Sequence, residues 1–294
     1  MSRKSLKEHL SNIVMLLPVL FFFIVIVYYP LLASIQWSFT DWNMSSAVFS
    51  FVGLRNFRQL FYDELILAGF KNTMLFTLYT TFFGNAIALL LALALDRPMI
   101  SRTYLRAVFY IPSLICTVVV AAVFSNLIQY YGFFNELFTR LHLDFLINDW
   151  FANKRTALPL IIGLNVWQWA GYGSVIYLAG LQTIPTDFYE AAKMEGARGV
   201  GLFFRITFPL LIPYVTIMTF LSITGGLKLF EIPYVLTGGG PGHATETLGT
   251  VIYRVAYHYN QFGYATAIAV VFFTIILILS ILQINFTRKR EIQL

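Results

Sequence analysis

Apolar residues fall in six long runs, roughly Ile13–Ile35, Thr73–Leu95, Ala107–Ile128, Leu158–Leu181, Pro209–Phe230 and Ala265–Phe286. Each run holds 22–24 residues. At about 1.5 Å of rise per residue, a helix of that length covers the ~30 Å hydrocarbon core of a bilayer. In lipid the backbone must satisfy its own hydrogen bonds, which favours helices. Continuous apolar runs argue against a β-barrel, whose strands alternate with period two. The pattern predicts an all-α integral membrane protein with six spanning helices. The first run is longer than a secretory signal core and no small-x-small cleavage site follows it, so it is expected to stay as a helix. Pro18 and Pro30 are placed to kink it.

Composition supports the membrane reading. The 294 residues are 58% hydrophobic and 12% charged, against about 25% charged in a soluble domain. The 29 phenylalanines suit lipid-facing and interfacial positions. The net charge of +6 is no nucleic-acid signal, because the basic residues gather at the ends of the apolar runs. An N-terminus in the cytoplasm puts 12 of the 20 Lys and Arg residues inside, among them Arg3, Lys4, Lys7, Lys289 and Arg290. Eight then lie outside, which predicts both termini in the cytoplasm. Cys116 is the lone cysteine and the four histidines are scattered, so neither a disulfide nor a metal site is expected.

The chain reads as a single membrane domain over residues 1–294. Its long external loops cover roughly 36–72, 129–157 and 231–264, and an internal loop covers about 182–208. No Walker-type phosphate loop follows Gly225-Gly226 or Gly238-Gly239-Gly240. No catalytic motif appears either, so the chain is not expected to be an enzyme and no cofactor is expected.

Residues 190–213, EAAKMEGARGVGLFFRITFPLLIP, form a charged segment between two apolar runs. Asp187 and Glu190 have capping-box spacing, and Gly196 suits a left-handed helix stop. The two-turn helix between them is marginal in water without a packing partner. Phe188, Ala191, Ala192 and Glu195 fall on one face by spacing. A second short helix, about Val200–Ile206, is expected before the fifth span starts at Pro209.

These residues resemble the EAA signature of ATP-binding-cassette importer permeases. Glu190-Ala191-Ala192, Gly196-Ala197 and Ile206 with Pro209 match the pattern. Glu195 stands where Asp is usual, and Val200 where sugar permeases often carry an aromatic. Residues 229–267, LFEIPYVLTGGGPGHATETLGTVIYRVAYHYNQFGYATA, resemble the carbohydrate branch of that family, of maltose, multiple-sugar and glycerol-phosphate type, in its first-permease form.

The resemblance implies a six-helix permease fold with a cytoplasmic EAA coupling helix. It implies one subunit of an importer, working beside a second permease, a dimeric ATPase and an extracytoplasmic sugar-binding protein, in a bacterial or archaeal cell membrane. ATP hydrolysis would sit on the separate ATPase chain. By carry-over, Glu190, Ala191, Ala192, Glu195, Gly196 and Ala197 are the ATPase-coupling residues. Gly238, Gly239, Gly240 and Pro241 would face the binding protein, or else form a tight loop packed on their own subunit.

Polar residues inside spans tend to face a bundle interior or a water-filled path. Asn165, Gln168 and Trp169 on the fourth span, with Asn85 on the second, are therefore candidates for a sugar path; interhelical hydrogen bonding is the other reading. Lys228 and Glu231 have the spacing of a local ion pair. A permease for a non-sugar solute and an ion-coupled secondary transporter are the rival readings. The latter predicts internal repeats and charges within spans for ion coupling, and neither is obvious in the sequence.

Overall fold

The computed structural model describes residues 15–45 and 48–288. The start of the first apolar run at Ile13, and Arg3, Lys4, Lys7, Lys289 and Arg290, lie outside the described residues. The described chain is helical, with one isolated bridge between Thr40 and Phe51. By contacts it divides into two compact units, one formed by Met1–Asp63 with Ile252–Phe273 and the other by Glu64–Val251 with Thr274–Leu294.

In the first unit, helix α1 (Met15–Trp37) runs through Pro18 and Pro30 without a break. Its turn at Ile24–Tyr28 is a wide π-turn, in which Tyr29 N–H reaches Ile24 O. A proline ring crowds the carbonyl four residues back, and widening the turn just ahead of Pro30 gives it room. No residue from Ile24 to Trp37 is buried. The short helix α2 (Arg55–Gln59) follows the Thr40–Phe51 bridge.

The second unit opens with α3 (Glu64–Leu95), 32 residues long. It starts nine residues before the predicted Thr73. Asn72 and Thr73 do not stop it, because they are buried and bonded. Asn72 Nδ2 donates to the carbonyls of His243 and Glu246, and Leu248 N–H donates to Thr73 Oγ1. Glu64 lies in the first turn, where the helix dipole favours an anion.

The predicted third span, Ala107–Ile128, is two helices, α4 (Arg102–Leu114) and α5 (Thr117–Ile128), parted by extended backbone at Ile115 and Cys116. Pro112 starts the break by removing an amide donor. Gln168, on a different helix, completes it by donating to the freed Ile115 carbonyl at 3.0 Å. A turn then leads to α6 (Phe133–Arg140).

Helix α7 (Ala157–Thr183) is close to the predicted Leu158–Leu181. Among the described residues, five helical stretches are long and apolar enough to cross a membrane: α1, α3, Thr117–Arg140, Gly199–Leu227 and Phe262–Thr287. Helix α7 is not among them, since it carries Asn165 and Gln168. Fourteen of its 27 residues are buried, so protein rather than lipid is its main solvent. It packs against α3 and α4 and against the helix at Gly199–Leu227. Tyr177, Leu178 and Leu181 meet Ala88 and Ala92 of α3 in one core cluster, and Leu158, Ile161 and Leu164 meet Phe76 in another.

The short helix α8 (Thr186–Met194) leads into α9 (Gly199–Leu227). The predicted separate helix at Val200–Ile206 and the span starting at Pro209 are thus one element. A π-turn at Phe203–Thr207 precedes Pro209 and lets the helix continue, as before Pro30. Helix α9 ends at Leu227, short of the predicted Phe230. Helices α10 (Glu231–Thr237), α11 (Leu248–Tyr253) and α12 (Phe262–Arg288) follow.

Candidate functional site

A cavity of about 410 Å³ lies among α3, α5, α7 and α9. Asn165 and Trp169 of α7 line it, one helical turn apart, with Thr80 and Ser222 from neighbouring helices. Its wall also holds Lys228 and Glu231. Their predicted ion pair is not formed. The i, i+3 spacing brings side chains together only on a continuous helix, and α9 ends at Leu227 while Glu231 opens α10. The wall therefore presents one cation and one anion beside amide, hydroxyl and aromatic groups, which suits a polar solute without strong net charge.

Gln168 and Asn85 do not line this cavity. Gln168 is fully buried, with Nε2 on the Ile115 carbonyl and Oε1 without a partner. Asn85 joins three helices: its Nδ2 reaches Ser222 Oγ at 3.2 Å, and its Oδ1 accepts from Tyr177 OH at 2.7 Å. Both amides serve helix–helix bonds. Thr80, Thr117, Tyr172, Ser222, Lys228 and Glu231 are polar wall residues that sequence reasoning did not place here. The signal open to it was a polar side chain close to Gly225-Gly226, where two small residues admit neighbours.

Helix α8 carries the EAA residues. The predicted capping box is absent: Pro185 is the N-cap residue, which puts Asp187 inside the first turn, and no side chain caps the start. The stop at Gly196 takes the predicted left-handed form, with φ at +84°. Gly196 N–H bonds Lys193 O at 3.0 Å and Ala197 N–H bonds Ala192 O at 2.9 Å, the paired bonds of a Schellman cap. Glu190, Ala191, Glu195 and Gly196 are exposed, as is Phe188, while Ala197 is half-buried. Ala192 instead turns inward and is 6% exposed, so the predicted single face is divided. A two-turn helix anchored by its flanking elements needs few inward side chains, and here Ala192 and the half-buried Tyr189 take that side.

The glycine loop folds back on its own unit. Gly239 adopts φ +88° beside the Glu246 side chain, where a Cβ would overlap the carboxylate. Thr245 Oγ1 donates to Gly240 O, and Thr250 Oγ1 donates to Glu246 Oε2 at 2.5 Å. Glu246 is fully buried. Gly239 is buried too, Gly240 and Pro241 are half-buried, and Gly238 is exposed.

Comparison with known proteins supplies the family. Residues 84–292 match the family model described as binding-protein-dependent transport system inner membrane component. The probable ABC transporter permease YurN of Bacillus subtilis is 33% identical over 274 residues, covering 92% of this chain and 94% of the relative. The multiple sugar-binding transport system permease MsmF of Streptococcus mutans is 31% identical, covering 92% of each. In structure, a chain of a bacterial ABC transporter that imports the acidic polysaccharide alginate superposes with a TM-score of 0.84 at 24% identity, covering 97% of this chain and 98% of that one. Over nearly its whole length, then, the chain is similar in sequence to the two permeases and in fold to the alginate-importer chain, and it belongs to the family of binding-protein-dependent transport system inner membrane components.

Proposed function

We propose that this chain is a membrane-spanning subunit of an ATP-driven importer that passes a sugar or oligosaccharide from an external binding protein into the cytoplasm. A second permease would complete the pathway, and a separate dimeric ATPase would drive it. Helix α7 serves as the sixth span beside the five apolar stretches, with both termini in the cytoplasm. The sugar class is supported by relatives named for multiple-sugar and arabinooligosaccharide transport.

The observation that carries this reading is α8. It is a short, capped helix between two long ones, and it leaves Phe188, Ala191 and Met194 exposed among the described residues. A partner ATPase that changes shape on binding ATP would move α8 and, through it, α7 and α9. Those two helices flank the cavity, so access to it would switch between sides. Asn165, Trp169, Lys228 and Glu231 would hold the passing solute.

The test is uptake into proteoliposomes that hold this chain with its partner permease and ATPase, fed by the loaded binding protein. ATP-dependent sugar accumulation is expected. Gly196→Pro or Ala191→Trp should abolish it while leaving membrane insertion intact. Uptake that persists without ATP, or wild-type rates in both well-inserted variants, would overturn the reading.

A further inference from the structure

The first unit holds a second cavity, of about 540 Å³, with a lining unlike that of an ordinary membrane crevice. Eleven residues form it and none is aliphatic. They come from the segment 41–59 and from Tyr259 to Tyr264. Apart from its aromatic rings, every lining side chain is an amide, carboxylate, guanidinium or hydroxyl. The volume lies within the ~300–1,000 Å³ of small-molecule sites.

The frame of this cleft is fixed by its own hydrogen bonds. Asn56, 4% exposed, donates to the carbonyls of both Ser38 and Thr40 at 2.9 Å. Asn260, held at φ +55°, accepts from Met44 N–H at 3.0 Å and donates to Ser45 Oγ. Gly263 N–H reaches Trp42 O at 2.9 Å. These bonds tie the two segments together. Trp42 is steadied by rings on two sides, Trp37 at 4.6 Å and Phe262 at 5.0 Å between centroids.

Against that frame, the side chains of Arg55, Gln59 and Gln261 line the cleft without a hydrogen bond among the described residues. Each offers a planar fork of donors, and the two glutamines add acceptors. Asp41 contributes a carboxylate that already accepts from Ser50 N–H through one oxygen. Asp41 and Arg55 balance in charge, so the cleft has no strong pull on an ion of either sign. Tyr259 adds an exposed aromatic face.

We propose that this cleft binds a neutral saccharide, at a site separate in its residues from the cavity lined by Asn165. A pyranose ring has hydroxyls that both donate and accept, and an apolar C–H face. Planar amide and guanidinium forks satisfy the former, and a tyrosine or tryptophan ring covers the latter. A purely structural interface would bury these forks against partners; here three of them are left facing the space. The inference rests on the sugar reading above only in its choice of probe.

The test is saturation-transfer NMR and calorimetric titration with maltotriose and cellotriose, using the full chain in nanodiscs. The Gln59→Ala/Gln261→Ala double variant removes two exposed side chains that hold nothing in the fold. Affinity at the cleft should fall roughly tenfold with two hydrogen bonds lost, and Arg55→Ala should add to the loss. Asn165→Ala should leave that binding phase in place. Circular dichroism and gel filtration check that each variant is folded. Unchanged affinity in the double variant, no binding of either trisaccharide, or loss of all binding in Asn165→Ala would overturn the proposal. If ATP-driven uptake succeeds while the cleft variants bind normally, this inference alone fails. If the cleft binds as expected while uptake proves independent of ATP, only the importer reading fails.

Discussion

Replacing Gly171 by alanine tests how the helices around α7 are held together. A Cβ at Gly171 would lie more than 1 Å inside the 3.0 Å limit of real Cβ contacts with Phe109 O, and would also overlap the Phe109 carbonyl carbon. The obstacle is the backbone of α4, which cannot rotate away as a side chain could. Helix α4 must therefore retreat by about 1 Å or more. Such overpacking costs about 1–3 kcal/mol. The same movement pulls Ile115 O from Gln168, one turn away on α7, and that bond is worth about 0.5–1.5 kcal/mol. Alanine recovers about 0.8–1 kcal/mol through its better helix propensity. The net expectation is a loss of about 1–3 kcal/mol.

Gly163 on the same helix provides the control, since nothing lies within 4 Å of its added Cβ. Gly163→Ala should be neutral or slightly stabilising. Both variants are compared by thermal unfolding in the same detergent, monitored by tryptophan fluorescence. Gly171→Ala should melt several degrees below the parent chain and Gly163→Ala should not. Equal melting of the two variants would refute close helix packing at Phe109.

Gly239→Ala should destabilise the glycine loop by about 1–3 kcal/mol, because it meets both a positive φ and the buried Glu246 carboxylate; faster proteolysis within residues 238–246 is the readout. Thr250→Val removes the hydroxyl donor to Glu246 and should cost about 1–3 kcal/mol in the same melting assay, whereas Thr250→Ser should restore most of it. Tyr177→Phe deletes the bond to Asn85 Oδ1 and leaves that half-buried acceptor without this donor, for a loss of about 1 kcal/mol. In reconstituted transport, Lys228→Ala and Glu231→Ala should each raise the KM for sugar several-fold; unchanged kinetics in both would remove them from the solute path.

The sequence by itself determined the solvent and the class of fold. Runs of 22–24 apolar residues have no stable home except a bilayer, and in a bilayer they must be helical. The same reading placed α7 within two residues of its observed bounds and set the stop of α8 at Gly196, since only a residue free of Cβ strain takes φ +84° without cost. Family membership was also legible, because the EAA and LTGGGP segments are contiguous in the chain.

What tertiary structure alone decided depends on pairs far apart in sequence. The break between α4 and α5 is invisible in a continuous apolar run, because it is completed by Gln168, more than 50 residues away. Whether a polar side chain in a span faces a cavity or a neighbouring helix turns on which elements surround it. Asn165 meets open space, whereas Asn85 meets Tyr177 and Ser222. Lys228 and Glu231 separate because α9 stops at Leu227, and no periodicity argument fixes a helix end to within a turn. Ala191 and Ala192 are chemically the same, and only the way α8 packs, with Tyr189 against the core beside α7, decides that Ala192 is buried and Ala191 exposed.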